Sequence, residues 1–576
     1  MLSCWRLTPT LCLSTRHRSG FYCRTASVQS PVNGDQNKNG EEKKKKKIVI
    51  VGSGWAGLGA AHHLCNQVLS PPSLSLEKKK KKHQSCDSCE MGIFCFRDLM
   101  SKLLMMEMVL VVLMMSASKI NFVVICFWYP YRNIFSLVDE LGIEPFTNWM
   151  KSVLYSEGGL EVEFPIFQDL PQLPTPLGTL FYTQFNRVPL VDRLTSLALM
   201  AAGIYIYIEY SLSFTARELF KQFGCSERLY RDVIGPLLQV GLFAPAEQCS
   251  AAATLGILYY FILAHQKNFD LVWCQGTLKE KIFDPWMDSM RTRDCEFLDG
   301  RKVTDFVLNE ETGCISEVVC GKEKYNADAV ILAVAISTLQ ELVKNSYPVF
   351  DKAVVLCSAA LCTREEEFLK VSNLSCIDVI SVKVRLDKKV NIPNASNACS
   401  GFGDSFSWTF FDLTQIYDEH KDDPVTVLQA DFYHANVLLP LKDEQVLAKV
   451  MSCLSKCIEE FSTATITDKQ IRRFPKSLTH YFPGSYKYMM RGSTSFPNLF
   501  MAGDWITTRH GSWSQEKSYV TGLEAANRVV DYLEDGSFAK IIPVEEDEAH
   551  IETLRNLNRR FNEIREQVPL SNYFLQ

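Results

Sequence analysis

Three local patterns in this chain predict an α/β fold in which a doubly wound parallel sheet, extended by a β-meander, is joined to a second, mixed α+β domain. The first is the apolar, β-branched run Ile48-Val49-Ile50-Val51, which breaks into Gly52-Ser53-Gly54-Trp55-Ala56-Gly57 and continues from Leu58 to Leu64 as a helix-forming stretch. The second lies more than four hundred residues later, where Asn498-Leu499-Phe500-Met501-Ala502 delivers Gly503-Asp504 and a helical stretch follows from Gly522. The third is a strand-turn-strand pattern from Gly300 to Cys320, followed by a last buried strand over Ala327-Asp328-Ala329-Val330-Ile331-Leu332-Ala333-Val334.

Each glycine of the first pattern has a separate physical task. Gly52 permits a tight turn out of the strand, Gly54 lets a pyrophosphate approach the backbone, and Gly57 lets helix and strand pack closely. Trp55 and Ala56 complete the turn as cofactor-binding candidates, and the helix that follows has its N-terminus facing the phosphate. The motif predicts a dinucleotide but does not separate NAD from FAD. His62 and His63 fall on the same helix as packing or surface residues. In the second pattern, Asp504 stands where a carboxylate either caps a helix or meets a phosphate-bearing ligand, and one geometry serves both.

Bulk properties narrow the setting. A chain of 576 residues with 47% hydrophobic and 22% charged content is globular in composition and too long for one core. A net charge of −5 gives no electrostatic case for nucleic acid, which needs a surplus of Lys and Arg, so small molecules are the expected ligands. The twenty cysteines are scattered, as buried apolar residues of a reducing compartment would be. No metal site is expected, because Cys86 and Cys89 form one Cys-x-x-Cys pair without a second.

The ends and the linkers differ from the body. Residues 1–34 contain no Asp or Glu but carry Arg6, Arg16, Arg18 and Arg24 among serines and threonines, the composition of an organelle transit segment. No apolar run reaches the length of a membrane span.

Taken together, the glycine turn at 52–57 and the Met501-Ala502-Gly503-Asp504 element resemble the flavin-containing amine oxidase and phytoene desaturase-like family of FAD-dependent oxidoreductases, in its plant plastid type. The resemblance implies a Rossmann-like FAD-binding domain in which the glycine turn holds ADP and Gly503, Asp504 and Gly522 belong to the flavin end. It also implies that the backbone of Val303, on the meander, meets the adenine. The expected organisation is a transit-like segment at 1–42, FAD-binding parts at 43–68, 275–345 and 491–535, substrate-domain parts at 128–274 and 346–490, and a tail at 536–576. The address implied is the chloroplast, with the mitochondrion as the alternative.

Residues 69–127 depart from the family pattern, which wants a second strand ending in a carboxylate for the adenosine ribose and then a glycine-rich loop. Glu77 stands 20 residues past Gly57, after an alternating Leu-Ser run, and is the candidate ribose carboxylate. No glycine pair follows it, and Pro71-Pro72 sits badly before a central strand. The stretch reads as an irregular insertion with the marks of a gene-model error. Read one nucleotide earlier, the codons of Met106 to Met115 permit Asp-Gly-Asn-Gly-Phe-Gly-Ser-Pro-Asp-Asp, a glycine-rich loop where the family has one. The apolar runs 204–212 and 347–357 raise the same suspicion.

The function implied is oxidation or desaturation of a small apolar, carotenoid- or isoprenoid-like substrate by hydride transfer to FAD, with electrons passed to a separate acceptor and peripheral contact with a membrane. Flavin amine oxidation, flavin-dependent isomerisation without net redox, and an inactive relative stay open as alternatives. The aromatic residues Trp128, Phe181, Tyr182, Tyr259, Tyr260, Phe261, Trp273, Trp408, Phe410 and Phe411 would line an apolar tunnel or fill an ordinary core. No catalytic residue is assigned from the sequence.

Overall fold

The computed structural model describes residues 45–67, 108–114, 124–197, 213–346, 366–400, 402, 406–553, 556 and 560. The leader-like residues 1–42, Glu77, the Cys86 and Cys89 pair and the runs 204–212 and 347–357 lie outside the described residues.

Five parallel strands form the central sheet: β1 (Lys46–Val51), β2 (Met108–Leu113), β8 (Cys295–Leu298), β12 (Ala329–Leu332) and β18 (Leu499–Met501), in the order β18-β12-β1-β2-β8. The alternation of β1 explains why this sheet is covered on both faces. Ile48 and Ile50 face a core built with α1 (Trp55–Asn66), α3 (Asp284–Arg291) and α6 (Gln515–Leu533). Val49 and Val51 face a second core built with Val303, Phe306, Ile315 and Val318 of the meander and with Leu339 and Leu342 of α4 (Ile336–Asn345). The meander is the antiparallel sheet β11-β10-β9, from β9 (Asp305–Asn309), β10 (Cys314–Cys320) and β11 (Glu323–Asn326).

The second strand corrects the sequence reading. It comes from Met108–Leu113, inside the stretch read as an irregular insertion, and not from the Leu-Ser alternation that ends at Glu77. Met108-Val109-Leu110-Val111-Val112-Leu113 is an apolar run of strand length, and it pairs in register with β1 from Lys46 with Met108 to Val51 with Leu113. A strand buried on both faces needs only such a run, because both neighbours supply its ladder bonds.

The second domain is an eight-stranded mixed sheet of order β17-β13-β16-β15-β14-β4-β5-β6. Its strands are β4 (Ser152–Ser156), β5 (Gly159–Phe164), β6 (Gln184–Phe185), β13 (Ser375–Leu386), β14 (Ser396–Cys399), β15 (Ser407–Asp412), β16 (Val427–Tyr433) and β17 (Ile466–His480). On one face Trp408, Phe410, Leu428, Ala430 and Phe432 pack against Val446, Val450 and Leu454 of α5 (Asp443–Cys457). Trp408 and Phe410 are therefore core residues, with ring centroids 5.6 Å apart. Phe181, by contrast, is exposed.

Two devices tie the domains together. Glu516, in the first turn of α6, is fully buried and accepts hydrogen bonds from the amides of Asn133 (2.8 Å) and Ile134 (3.0 Å), which open α2 (Arg132–Leu141). Its carboxylate thus caps a helix of the other sequence segment, satisfying donors that would otherwise be orphaned. The segment after α6 then runs as a strap. The amides of Ser537, Ala539 and Ile542 donate to the side-chain oxygens of Gln67, Asn527 and Asn133 respectively, and Glu548 accepts from the Thr175 amide at 3.0 Å. Among the described residues no helix is long and apolar enough to cross a membrane, and no two cysteines form a disulfide.

Candidate cofactor and active site

The site begins at the edge of the sheet where three strands end together. Val51 pairs with Leu332, and Leu332 pairs with Met501. The glycine turn after β1 and the Ala502-Gly503-Asp504 turn after β18 therefore leave the same edge two strand spacings apart, about 9 to 10 Å. In open α/β sheets this edge, at the carboxyl ends of the strands, is where ligands bind. The structure brings together two turns that are remote in sequence, as the paired motifs predicted.

The geometry separates the glycines by role. Gly52 has φ of +114°, and a Cβ there would collide with the carbonyl oxygen of Ala333. A Cβ at Gly57 would collide with the carbonyl oxygen of Gly52, so this glycine closes helix onto turn. At Gly54 an added Cβ would meet no atom within 4 Å. Protein packing does not require glycine at this position, whereas a ligand approaching the turn does. Gly54 is the N-cap of α1, and no side chain caps this helix or places a negative charge in its first turn. Its opening amides are left to accept an anion, which is the physical requirement for a pyrophosphate site.

The remaining predicted residues take other positions. Trp55 points into the core, with its ring 5.1 Å from Phe283 and 5.8 Å from both Trp286 and Phe127. Ala56 is buried where α1 crosses α6, and Gly522 is its partner in that crossing, since a Cβ at Gly522 would collide with the carbonyl oxygen of Ala56. The contact that the structure shows for Gly522 is thus helix packing. Val303 is buried on the meander side, two residues after Arg301, whose amide donates to the carbonyl of Met114 at the end of β2 (3.0 Å). That position at the strand end is where the dinucleotide fold places its ribose carboxylate. Here it holds the buried, apolar side chain of Met114.

At the flavin end, Thr521 of α6 grips Gly503, accepting from its amide at 2.9 Å and donating to its carbonyl at 3.1 Å. Gly503 has φ of +144°, which frees the turn to present Asp504. Burial raises the carboxyl of Asp504 above its ordinary range, opposed by the positive charge of Lys517 and by its own amide and that of Trp505. Lys517 itself is buried, and burial lowers its ammonium to about 8 against the pull of Asp504 and Glu524.

From Asp504 an aromatic wall leads to the second domain. Tyr481 has its phenol raised by burial and then by the charge of Asp504, so the two groups lie within electrostatic reach of each other. Its ring stacks on Trp513 at 6.2 Å, Trp513 meets Phe243 at 4.9 Å, and Phe243 meets Tyr433 at 5.0 Å. Tyr433 belongs to the face of the large sheet opposite α5, together with Thr409, Ser381 and Asp431. Asp431 is fully buried, accepts from Ser381 and Gln429, and is raised by burial to about 7 despite those bonds. Among the described residues the buried indole N–H of Trp513 has no hydrogen-bond partner, as is also true of Trp55, Trp273 and Trp408, and Trp513 is the one of the four that lies on this wall.

These residues fit FAD. Open space at Gly54, free helix-opening amides, a carboxylate beside the second turn and an unpartnered indole donor match a ligand with a pyrophosphate, hydroxyls and a heteroaromatic ring. Sequence reasoning missed Lys517, Trp513, Phe243, Tyr433 and Asp431. Lys517, Thr521 and Glu524 are spaced i, i+4 and i+7 on one stripe of α6, but only the contact of Thr521 with Gly503 shows which way that stripe faces.

The comparisons agree. Residues 124–530 match the family described as flavin-containing amine oxidoreductase. Among solved structures the chain is similar to a putative protoporphyrinogen oxidase from Exiguobacterium sp. 255-15, with TM-score 0.55 and 14% identity over 85% of this chain and 99% of that one. It is also similar to cyclohexylamine oxidase from Brevibacterium oxydans IH-35A, with TM-score 0.54 and 13% identity over 85% and 100% of the two chains. A putrescine oxidase variant gives TM-score 0.53 and 14% identity over 84% and 99%. No curated protein matches this chain. The chain belongs to the flavin-containing amine oxidoreductase family and is an FAD-dependent oxidoreductase.

Proposed function

We propose that this oxidoreductase removes hydride from an apolar substrate of the isoprenoid or carotenoid class and passes the electrons to a separate acceptor. The observation that carries this reading is the wall of Tyr481, Trp513, Phe243 and Tyr433, which runs from the flavin end at Asp504 to the inner face of the large sheet. Aromatic rings gain by burying apolar substrate surface, at roughly 25 cal/mol per Å². FAD, when bound, supplies the hydride acceptor, while the protein's part is to bind, orient and exclude water. The glycine turn would hold the pyrophosphate, Asp504 the hydroxyls, and the wall the substrate.

A second reading, amine oxidation, is supported by one residue. Asp431 is a buried carboxyl at the far end of the wall, and a carboxyl that ionises at about 7 would pair with a substrate ammonium. Two of the similar structures are named as oxidases of cyclohexylamine and putrescine. Anaerobic mixing of the flavin-loaded protein with polyenes and with primary amines separates the readings. Flavin bleaching by polyenes alone supports the first, and bleaching by amines alone replaces it with the second. Product formation without bleaching would indicate isomerisation.

The acid-free, Arg- and Ser/Thr-rich start supports import into a plastid, or failing that a mitochondrion. A reporter fused behind residues 1–42 should enter one of these organelles, and a reporter that stays in the cytosol overturns the address.

A further inference from the structure

Lys517 occupies a place where a lysine is costly. It is only 7% exposed, and among the described residues its ammonium makes no hydrogen bond and no ion pair. Desolvating a charge without a partner costs several kcal/mol. The residue is no accident of an exposed helix end, since its own amide is already satisfied by the N-cap hydroxyl of Ser514 at 3.0 Å. What is unspent is the side chain.

The direction of that side chain follows from its helix. Thr521 lies one turn further along α6 on the same stripe and holds both the amide and the carbonyl of Gly503. The stripe therefore faces the turn that presents Asp504. The opposite charge that acts on Lys517 most strongly is the Asp504 carboxylate, ahead of Glu524, and the Asp504 and Lys517 groups each bias the ionisation of the other. Yet they do not close to an ion pair. Five residues on from Lys517, Gly522 packs against Ala56 in the first turn of α1, so the opening turn of α6 runs beside the free amides behind the glycine turn. An ammonium, a carboxylate and a row of amides thus share one side of the sheet edge, and among the described residues no ion pair joins the ammonium to the carboxylate.

A ligand that satisfies both charges must offer an anionic oxygen to the lysine and a hydroxyl to the aspartate. We propose that Lys517 is a cofactor-positioning residue whose ammonium pairs with an anionic oxygen of FAD beside the carboxylate of Asp504. This rests on the FAD-dependent reading of the site. Two parts of the cofactor carry that chemistry. The pyrophosphate is anionic in both redox states, whereas the N1 and C2-carbonyl edge of the ring gains negative charge only on reduction.

The test uses the full-length chain as wild type, Lys517→Met, Lys517→Gln and Lys517→Arg, with FAD affinity read by flavin fluorescence and the midpoint potential read by dye equilibration. Loss of one charge-assisted bond should weaken FAD roughly ten- to a hundredfold in the Met and Gln variants. The Arg variant, which keeps the charge, should stay within about threefold of wild type. Weaker binding at an unchanged potential assigns the pairing to the pyrophosphate. A fall in potential, about 30 mV for each tenfold loss of preference for the reduced form, assigns it to the ring edge. The flavin-free Met and Gln variants should unfold at or above the wild-type temperature, because they remove a buried charge, so weaker binding cannot be put down to a damaged fold. Wild-type affinity and potential in both the Met and Gln variants would overturn the proposal while leaving the cofactor reading intact. A wild-type chain that binds no FAD would overturn the cofactor reading first and this pairing with it.

Discussion

At the scale of single residues, the glycine turn and Asp504 make opposite demands on a mutation. Gly54 has open space where its Cβ would be, so Gly54→Val should leave the fold intact and abolish FAD retention by filling the path to the pyrophosphate. Flavin absorbance of the purified variant, set against its circular dichroism, checks both halves. Asp504 is a partly buried acceptor, and its removal leaves donors unsatisfied at roughly 1 to 3 kcal/mol. Asp504→Ala should therefore lower FAD affinity about ten- to a hundredfold, and Asp504→Asn less, as measured by fluorescence titration. Equal binding by wild type and Asp504→Ala would reduce Asp504 to a turn-stabilising residue. Both residues were legible in the sequence because their signals are local. The glycine spacing of a strand-turn-helix and a carboxylate in a turn are both read from their immediate neighbours in the chain. Lys517 was not legible, because a lysine beside Glu516 in a helical stretch reads as solvated surface until the packing of α6 on the sheet is known.

At the scale of elements, the contact between α1 and α6 decides how closely the two turns approach. Gly522 has no room for a methyl group against Ala56, so Gly522→Ala should push the helices apart and destabilise the protein by about 1 to 3 kcal/mol, the usual cost of overpacking. Thermal unfolding of the flavin-free chain measures this. A loss of FAD affinity without loss of stability would instead make Gly522 a cofactor contact, the role its motif suggested. The strands tell a similar story about legibility. β1, β12 and β18 announce themselves as short β-branched or apolar runs before turns. β2 does not, because parallel pairing is set by the neighbour and not by the strand's own alternation, and six apolar residues that follow the equally apolar Leu103-Leu104-Met105-Met106 resemble a core fragment equally well.

At the scale of the whole molecule, Asp431 links the large sheet to pH. Its carboxyl ionises at about 7 when folded, while an unfolded aspartate ionises near 3.9. Between those values the folded state binds the extra proton, so stability contributed here is present at low pH and is lost as pH rises through about 7. Asp431→Asn removes the titration. The variant should gain stability relative to wild type between pH 5 and pH 8, by on the order of a few kcal/mol, as read from denaturant unfolding at the two values. A constant difference across that range would show that Asp431 keeps the same charge in both states. The two-domain plan itself was legible from the spacing of the three nucleotide-domain patterns. The polar patch at Ser381, Thr409 and Asp431 was not, because cross-strand neighbours from β13, β15 and β16 are brought together only by the sheet order.

The end of β2 carries a consequence for choice among cofactor analogues. Among the described residues the end of β2 places the sulfur and methylene groups of Met114, not a carboxylate, on the side of the adenosine sugar, and this side chain does not distinguish a ribose from its 2′-deoxy counterpart. Recognition then weighs on the opposite half of the molecule, at Asp504 and the first turn of α6. The protein should accept nucleotides altered at the adenosine sugar with little loss, and should discriminate sharply against those altered in the ribityl chain.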